Sequence, residues 1–210
     1  MSADFSAGMF PDQINQQQDV LVPEDAEIVF VSDLFIEDYV GGAELTSEAL
    51  IKSSPFNVFK LKSSQITMKT LESGHKKFWI FGNFTSMNFD LIPTIVSNIN
   101  YSIVEYDYKY CKYRSTQKHL MAENAECDCH DQPYGKMVSA FFYGARSLWW
   151  MSEGQQAHYY KTFPFLKEKP SVVLSSVFDD EFFLKIKELR QENKDVKREK
   201  YVVIGSNSWI

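Results

Sequence analysis

The stretch from residue 27 to residue 51 constrains the fold more than any other part of the sequence. It begins with a short apolar run, 28–31, that is rich in β-branched and aromatic residues and ends at Ser32 and Asp33. Such a run predicts a buried strand, of the kind found in parallel sheets. Gly41 and Gly42 follow after a loop, and the next nine residues have the apolar spacing and early glutamates of a helix. Strand, glycine loop and helix together predict the first unit of a Rossmann-like sheet.

The glycine loop is the first candidate for binding chemistry. Glycines let the backbone approach a ligand closely, and the N-terminus of a helix offers unpaired N–H groups to a phosphate. Gly41 and Gly42 do not match the dinucleotide fingerprint G-x-G-x-x-G. A tight strand-to-helix turn therefore explains two glycines equally well. Their position after the first predicted strand favours the binding interpretation.

Further apolar runs alternate with helical patterns along the chain. Strands are predicted at 58–61, 77–82, 101–107, 148–151, 171–178 and 201–205, and helices at 43–51, 64–73, 89–99, 135–146, 152–161 and 181–191. This alternation predicts an α/β fold: a Rossmann-like, mainly parallel sheet flanked by helices, with ligands bound at the carboxyl ends of the strands. Residues 108–134 are polar and aperiodic and hold all three cysteines. They predict an irregular, cysteine-containing insertion.

The domain organisation follows from these patterns. We expect a flexible N-terminal extension over 1–26, with a loosely docked extension as the alternative, a Rossmann-like domain over 27–191, and a charged linker over 192–200. Residues 201–210 are expected to be the first strand of a second domain. A sequence that stops just after a strand predicts that the natural protein continues past Ile210.

The composition and net charge of the chain limit the binding partners and cellular locations that we expect for it. The net charge is -6 and the isoelectric point is near 5.3, so no overall positive field favours nucleic acid. No apolar run is long enough to span a bilayer, and the N-terminus lacks a signal-peptide pattern. An odd number of cysteines argues against a secreted disulfide framework. We therefore expect a cytoplasmic protein with no transmembrane segment and no nucleic-acid partner.

Cys111, Cys127, Cys129 and His130 form a candidate metal site in the insertion. Thiolate-rich ligand sets favour zinc, and a structural zinc site uses four tetrahedral ligands. A polar insertion without its own core can gain order from such a site. His119 is an alternative to His130 as the fourth ligand. Free or buried thiols are the other interpretation, because C-x-C-H lacks the usual C-x-x-C spacing.

Several segments, taken in order, resemble a known family. They read VFVSDLF, GGAELTSEALI, VEYDYKYC, WWMSEGQ, VVLSSVF and YVVIGSNSW. Their order and spacing resemble the N-terminal half of a GT-B-fold glycosyltransferase. The similarity is greatest to the large nucleotide-sugar-dependent group with a GGAE-like loop. The resemblance covers about residues 27–210, with the last strand corresponding to the start of the second Rossmann domain.

The resemblance implies a glycosyltransferase whose substrates are a nucleotide-sugar donor and an unidentified acceptor. In such enzymes the N-terminal domain mostly holds the acceptor and the C-terminal domain binds the donor. Gly41, Gly42 and Glu44 would reach the donor's diphosphate or sugar from across the cleft. The glutamate pair typical of the second domain has no counterpart in this sequence. The resemblance therefore implies that the 210-residue chain alone is inactive.

Two carboxylates stand where the family often has a catalytic histidine. Glu105 and Asp107 occupy the end of the fourth predicted strand. Either can serve as a base or orient an acceptor hydroxyl. A surface or helix-capping carboxylate is the alternative for both, and for Asp33 at the end of the first strand.

Ser152, Glu153 and Gln155, at the end of the fifth predicted strand, are expected to line the acceptor cleft together with Asp33. A capped helix start is the alternative for this segment. Two other functions also stay open for the chain. One is a non-catalytic Rossmann-like binding module stabilised by a metal. The other is a different nucleotide-binding enzyme, which the missing dinucleotide fingerprint disfavours.

Overall fold

The computed structural model describes residues 19–175 and 177–196 and contains one six-stranded sheet. Its strands are β1 (Ile28–Ser32), β2 (Val58–Lys62), β3 (Phe78–Phe81), β4 (Asn100–Glu105), β5 (Leu148–Trp150) and β6 (Ser171–Val173). The strand order is β2-β1-β3-β4-β5-β6, and every neighbouring pair is parallel. The α/β, Rossmann-like fold with a parallel sheet is thereby confirmed.

Seven helices connect or follow the strands in the described part of the chain. They are α1 (Gly42–Ser53), α2 (Met68–Gly74), α3 (Ile92–Asn98), α4 (Thr116–Glu123), α5 (Pro133–Gly144), α6 (Glu153–Thr162) and α7 (Asp180–Glu192). Short 3₁₀ turns lie at Ser63–Gln65, Phe89–Leu91, Cys129–Asp131 and Pro164–Glu168. Among these helices, none combines the length and the apolar character needed to cross a membrane.

Apolar side chains cover both faces of the sheet, because successive residues of a strand point to opposite sides. On one face, Val29 and Val31 of β1 belong to a large buried cluster with residues of α2, α3, α5 and α6. On the other face, Phe30 of β1 belongs to a smaller cluster that includes Leu50 and Ile51 of α1. The core therefore packs against both faces of the sheet beneath the loops that follow the strands.

The last described elements differ from the sequence prediction. β6 is three residues long, whereas the apolar run predicted a strand over 171–178. Helix α7 has no buried residue, and its large side chains Phe182, Phe183 and Leu184 are exposed. Its N-cap residue, Asp179, lies next to α1, with 3.3 Å between Asp179 Oδ2 and Lys52 Nζ.

The insertion predicted to be irregular contains a helix, α4. Its only large apolar residues, Leu120 and Met121, are both exposed. Adjacent exposed side chains produce no helical period in the sequence, which explains why the prediction missed α4.

Residues 19–26 of the N-terminal extension pack against the core. Val22 and Ala26 are buried, and the Val22 N–H donates to Ser73 Oγ at 3.0 Å. Residues 19–26 therefore dock on the core, as the alternative of a docked extension expects. The strand predicted at 201–205 and the end of the linker, 197–200, lie outside the described residues.

Candidate functional site

The candidate site is the carboxyl edge of the sheet between β1 and β3. Strand β1 lies between β2 and β3, so the chain changes its direction of progress across the sheet at this point. In open parallel sheets, the loops that leave the strands on either side of such a switch diverge and form a crevice. Here these loops carry Asp33 after β1, and Asn83 and Thr85 after β3.

Asp33 accepts hydrogen bonds from four donors. Its carboxylate receives the Ser63 hydroxyl at 2.5 Å, the backbone N–H groups of Thr85 and Ser86 at 3.1 and 3.0 Å, and the Thr85 hydroxyl. Burial opposes ionisation of Asp33, but these hydrogen bonds outweigh it and keep the pKa below its ordinary value. Asp33 thus joins the loops after β1, β2 and β3.

Arg114 joins the same loops to the end of β4. Its Nη2 lies 2.7 Å from Asp107 Oδ2 and donates to Asn83 Oδ1 at 2.7 Å. Its Nη1 donates to Thr85 Oγ1 at 3.1 Å and lies 3.7 Å from Asp33 Oδ2. Arg114 has a left-handed backbone conformation, with φ of 54°. A non-glycine residue is strained there, so the surrounding contacts must hold it.

The two carboxylates predicted as catalytic have different environments. Glu105 is enclosed, and its Oε1 accepts from the backbone N–H groups of Asp107 and Lys109. Lys109 Nζ donates to the other oxygen, Oε2, at 3.1 Å. Burial raises the pKa of Glu105 to about 8, although attraction from Lys109 opposes the rise. These contacts favour a structural role for Glu105, and Asp107 is the member of the pair that reaches the edge.

Two polar atoms at this edge are buried without a partner. Within the described residues, neither Asp107 Oδ1 nor Arg114 Nε makes a hydrogen bond. A buried polar atom without a partner costs about 1–3 kcal/mol. An ordered water or a ligand hydroxyl near these atoms would therefore be stabilising.

The glycine loop begins α1. Gly41 is its N-cap, no side chain caps the helix, and the first intrahelical bond runs from Leu45 N to Gly41 O. The N–H groups of residues 42–44 precede that bond and are the free donors of a helix N-terminus. A Cβ added at Gly42 would meet no atom within 4 Å, whereas one added at Gly41 would lie 2.5 Å from Glu44 Oε2. The loop therefore offers N–H donors beside an open space at Gly42, and the largely buried Glu44 carboxylate lies against Gly41.

The segment after β5 forms the capped helix start that was the alternative interpretation. The Ser152 side chain accepts from Gln155 N and caps α6. Gln155 is buried, its Oε1 accepts from Met151 N at 2.8 Å, and its Nε2 donates to Asp107 O at 3.0 Å. Glu153 is exposed on the first turn. Gln155 thus holds α6 against the loop after β4 instead of facing a cleft.

The insertion brings four ligand-type side chains together. The sulfurs of Cys111, Cys127 and Cys129 and a ring nitrogen of His119 all lie within 4.8 Å of one another, and this group can bind a metal ion. His130, the predicted fourth ligand, does not belong to this group of described residues. It follows Cys129 in a 3₁₀ turn and lines a separate cleft of about 400 Å³, which Cys127 also borders. His119, the alternative to His130, is the fourth ligand-type side chain of the group.

The three thiols lie close enough to influence each other. Burial, together with the neighbouring thiols Cys111 and Cys129, raises the pKa of Cys127 to about 12. Concentrating three potential negative charges in one place disfavours ionisation unless a cation compensates them.

Comparison with models of protein families, with curated proteins and with solved structures finds no match for this chain.

Arg114 and Lys109 are the site residues that the sequence did not indicate. Both lie in the polar stretch after β4, where a basic residue is ordinarily solvated. The acidic pair Glu105 and Asp107 at the strand end was the available signal, because buried carboxylates require cationic partners.

Proposed function

We propose that the chain is the acceptor-side domain of a GT-B-type glycosyltransferase that uses a nucleotide-sugar donor. The observation that carries this proposal is the open glycine loop at the start of α1, which follows β1 next to the switch point of the sheet. Ligands of open parallel sheets bind at this position.

The loop presents the two kinds of group that a nucleotide sugar requires. The N–H groups of residues 42–44 and the positive end of the helix dipole suit a diphosphate. The Glu44 carboxylate, beside Gly41, suits the hydroxyls of a sugar, which donate hydrogen bonds. A site that binds only free phosphate would not need a carboxylate at this position.

The neighbouring loops supply polar groups for an acceptor. Asp107 lies at the end of β4 with one oxygen bound by Arg114 and the other, Oδ1, without a partner. A carboxylate in that state can accept a hydrogen bond from an acceptor hydroxyl. Asp33 has its oxygens occupied by protein donors, so under this proposal it positions the loops and Asp107 meets the acceptor.

Gly42 provides a sharp test. A Cβ added at Gly42 meets no atom within 4 Å, so Gly42→Ala should fold as the wild type does, and thermal unfolding checks the larger Gly42→Val. Either side chain would occupy the space assigned to the donor. We expect donor consumption to fall at least tenfold in Gly42→Val, less in Gly42→Ala, and not at all in the exposed control Lys185→Ala.

The assay follows nucleotide release from a panel of nucleotide sugars, with the protein encoded by the complete reading frame. Thermal unfolding of each variant is measured in parallel. Failure of the wild type to consume any donor would remove the transferase proposal. Equal activity of the wild type and Gly42→Val would remove the role of the loop.

A second candidate function is a non-catalytic binding module that depends on a metal for its order. The observation that favours it is the group of three cysteines and His119, which lies beside the candidate site and not in it. This candidate predicts that no donor is consumed while metal removal still loosens the fold.

A further inference from the structure

We propose that Cys111, His119, Cys127 and Cys129 bind one zinc ion, and that this ion fixes the loop that carries Arg114 to the edge of the sheet. The ligands would be three thiolate sulfurs and Nδ1 of His119, and three thiol protons would be released on binding. The inference is independent of the transferase proposal, because zinc content can be measured without any activity.

The distances fit a tetrahedral zinc ion. His119 Nδ1 lies 3.4 Å from Cys129 Sγ and 3.7 Å from Cys111 Sγ. Zinc–sulfur bonds of about 2.3 Å and zinc–nitrogen bonds of about 2.0–2.1 Å at tetrahedral angles separate sulfur and nitrogen by about 3.5–3.6 Å. The described positions therefore need only small shifts to become ligands.

The group also has an outer partner for its histidine. With Nδ1 directed at the sulfurs, the other ring nitrogen of His119, Nε2, lies 3.9 Å from Asp128 Oδ1. Metal-bound histidines commonly donate their second N–H to a carboxylate, which fixes the ring orientation. Asp128 needs to move by less than about 1 Å to make that hydrogen bond.

An ion can reach the group from solvent. One cleft of about 400 Å³ is bordered by Cys127, and a second, of about 670 Å³, is bordered by His119 and Cys129. His119 and Cys129 are themselves buried, so a bound ion would be shielded although its entry route is open. A structural metal site is expected to have an accessible entry route and a binding position that is shielded from solvent.

The chemistry of the ligands favours zinc over the alternatives. Three thiolates and one imidazole form a common structural zinc set. Iron–sulfur clusters ordinarily take four thiolates, and hard cations such as magnesium prefer oxygen ligands. Oxidation to a disulfide would join only two of the three cysteines and leave one thiol unpaired.

The position of Arg114 connects the metal to the sheet. Arg114 lies between the ligands Cys111 and His119, in a left-handed conformation that costs free energy. Its guanidinium contacts Asp107 and the loop after β3. A zinc ion that closes the segment between its first two ligands would hold Arg114 in this conformation.

Metal content tests the ligand set. The chain is produced with zinc in the growth medium, purified under reducing conditions and dialysed, and zinc is measured by mass spectrometry. We expect one zinc per chain in the wild type and in the control His130→Ala, and at least tenfold less in His119→Ala and Cys127→Ser. Cobalt substitution of the wild type should give thiolate-to-cobalt charge-transfer bands and intense d–d bands of a tetrahedral ion.

Two outcomes would overturn the site. They are a wild type that binds neither zinc nor cobalt, and loss of zinc in His130→Ala with retention in His119→Ala. If His119→Ala does not fold, Cys127→Ser and the cobalt spectrum of the wild type decide, because Cys127 is only half-buried.

Amide hydrogen exchange tests the connection to the sheet. The N–H groups of Thr85 and Ser86, which donate to Asp33, lie outside the insertion but under Arg114. We expect chelation of zinc to speed exchange at least tenfold over 108–131 and at Thr85 and Ser86, with no change in β5. Unchanged exchange at Thr85 and Ser86 would show that the metal does not hold Arg114.

Discussion

Lys109 and Glu105 form a hydrogen-bonded pair that is enclosed by the protein: Lys109 Nζ lies 3.1 Å from Glu105 Oε2, and the two side chains are 0% and 1% exposed. Burial disfavours the charged form of Glu105 and raises its pKa, although Lys109 opposes that rise. Two backbone N–H groups donate further hydrogen bonds to Glu105. The pair fixes the turn in which the chain leaves β4.

Glu105 should give the protein a measurable pH dependence. Because burial raises the folded-state pKa from 4.5 to about 8, the proton on Glu105 stabilises the fold fully below the lower value. That contribution is lost as the pH rises through the higher value. Glu105→Gln does not titrate at this position. We therefore expect the wild type to lose about 2–4 kcal/mol of unfolding free energy relative to the variant when the pH rises from 5 to 8.5. Urea unfolding at several pH values measures it, and parallel curves would contradict the assignment.

Asp33→Asn should destabilise the fold at neutral pH. The side-chain NH₂ group of the new asparagine would face the N–H donors of Thr85 and Ser86, and the charge that attracts Arg114 would be lost. We expect the free energy of unfolding to fall by about 2–3 kcal/mol. The cost should shrink as the pH falls through the lowered pKa of Asp33, because the wild-type carboxylate is then protonated as well. The exposed Asp131→Asn is the control, with an expected change within about 0.5 kcal/mol.

Arg114→Lys should not behave as a conservative substitution. An ammonium group cannot reproduce the fork that contacts Asp107, Asn83 and Thr85 together. We expect a loss of about 1–3 kcal/mol in unfolding free energy. Arg190→Lys, on the exposed helix α7, should change it by less than about 0.5 kcal/mol. Equal effects of the two substitutions would show that the Arg114 contacts contribute little.

Gly135→Ala should disturb the cysteine group. An added Cβ would lie 2.0 Å from the carbonyl oxygen of Cys129, and a backbone atom cannot move aside as a flexible side chain does. We expect a cost of about 1–3 kcal/mol and weaker metal binding. Gly154→Ala, in the first turn of α6, meets only Ser152 Oγ at 3.9 Å and should be neutral or stabilising by up to about 1 kcal/mol. Calorimetric melting of both variants, with and without zinc, compares them directly.

The sheet was predictable because its central strands, β1, β3 and β4, are short runs that are buried on both faces. The helix start at Ser152 was predictable because its cap is a local signal. The positions of charged residues were not, since burial of Glu105 and Lys109 depends on elements that lie far apart in the sequence. The fourth metal ligand shows the same limit. His130 adjoins Cys129 in the sequence, but the 3₁₀ turn separates their side chains, whereas α4 brings His119 back to the sulfurs.

Helix α7 determines how these stability measurements are best made. Its phenylalanines Phe182 and Phe183 are exposed, and we expect solvatochromic dyes to adsorb to them even on the native protein. Dye-based melting curves would therefore begin from a high fluorescence baseline. Trp79 and Trp150 are completely buried, so their emission should shift to longer wavelength when the core opens. Tryptophan fluorescence is the optical signal that reports unfolding of this chain without a contribution from α7.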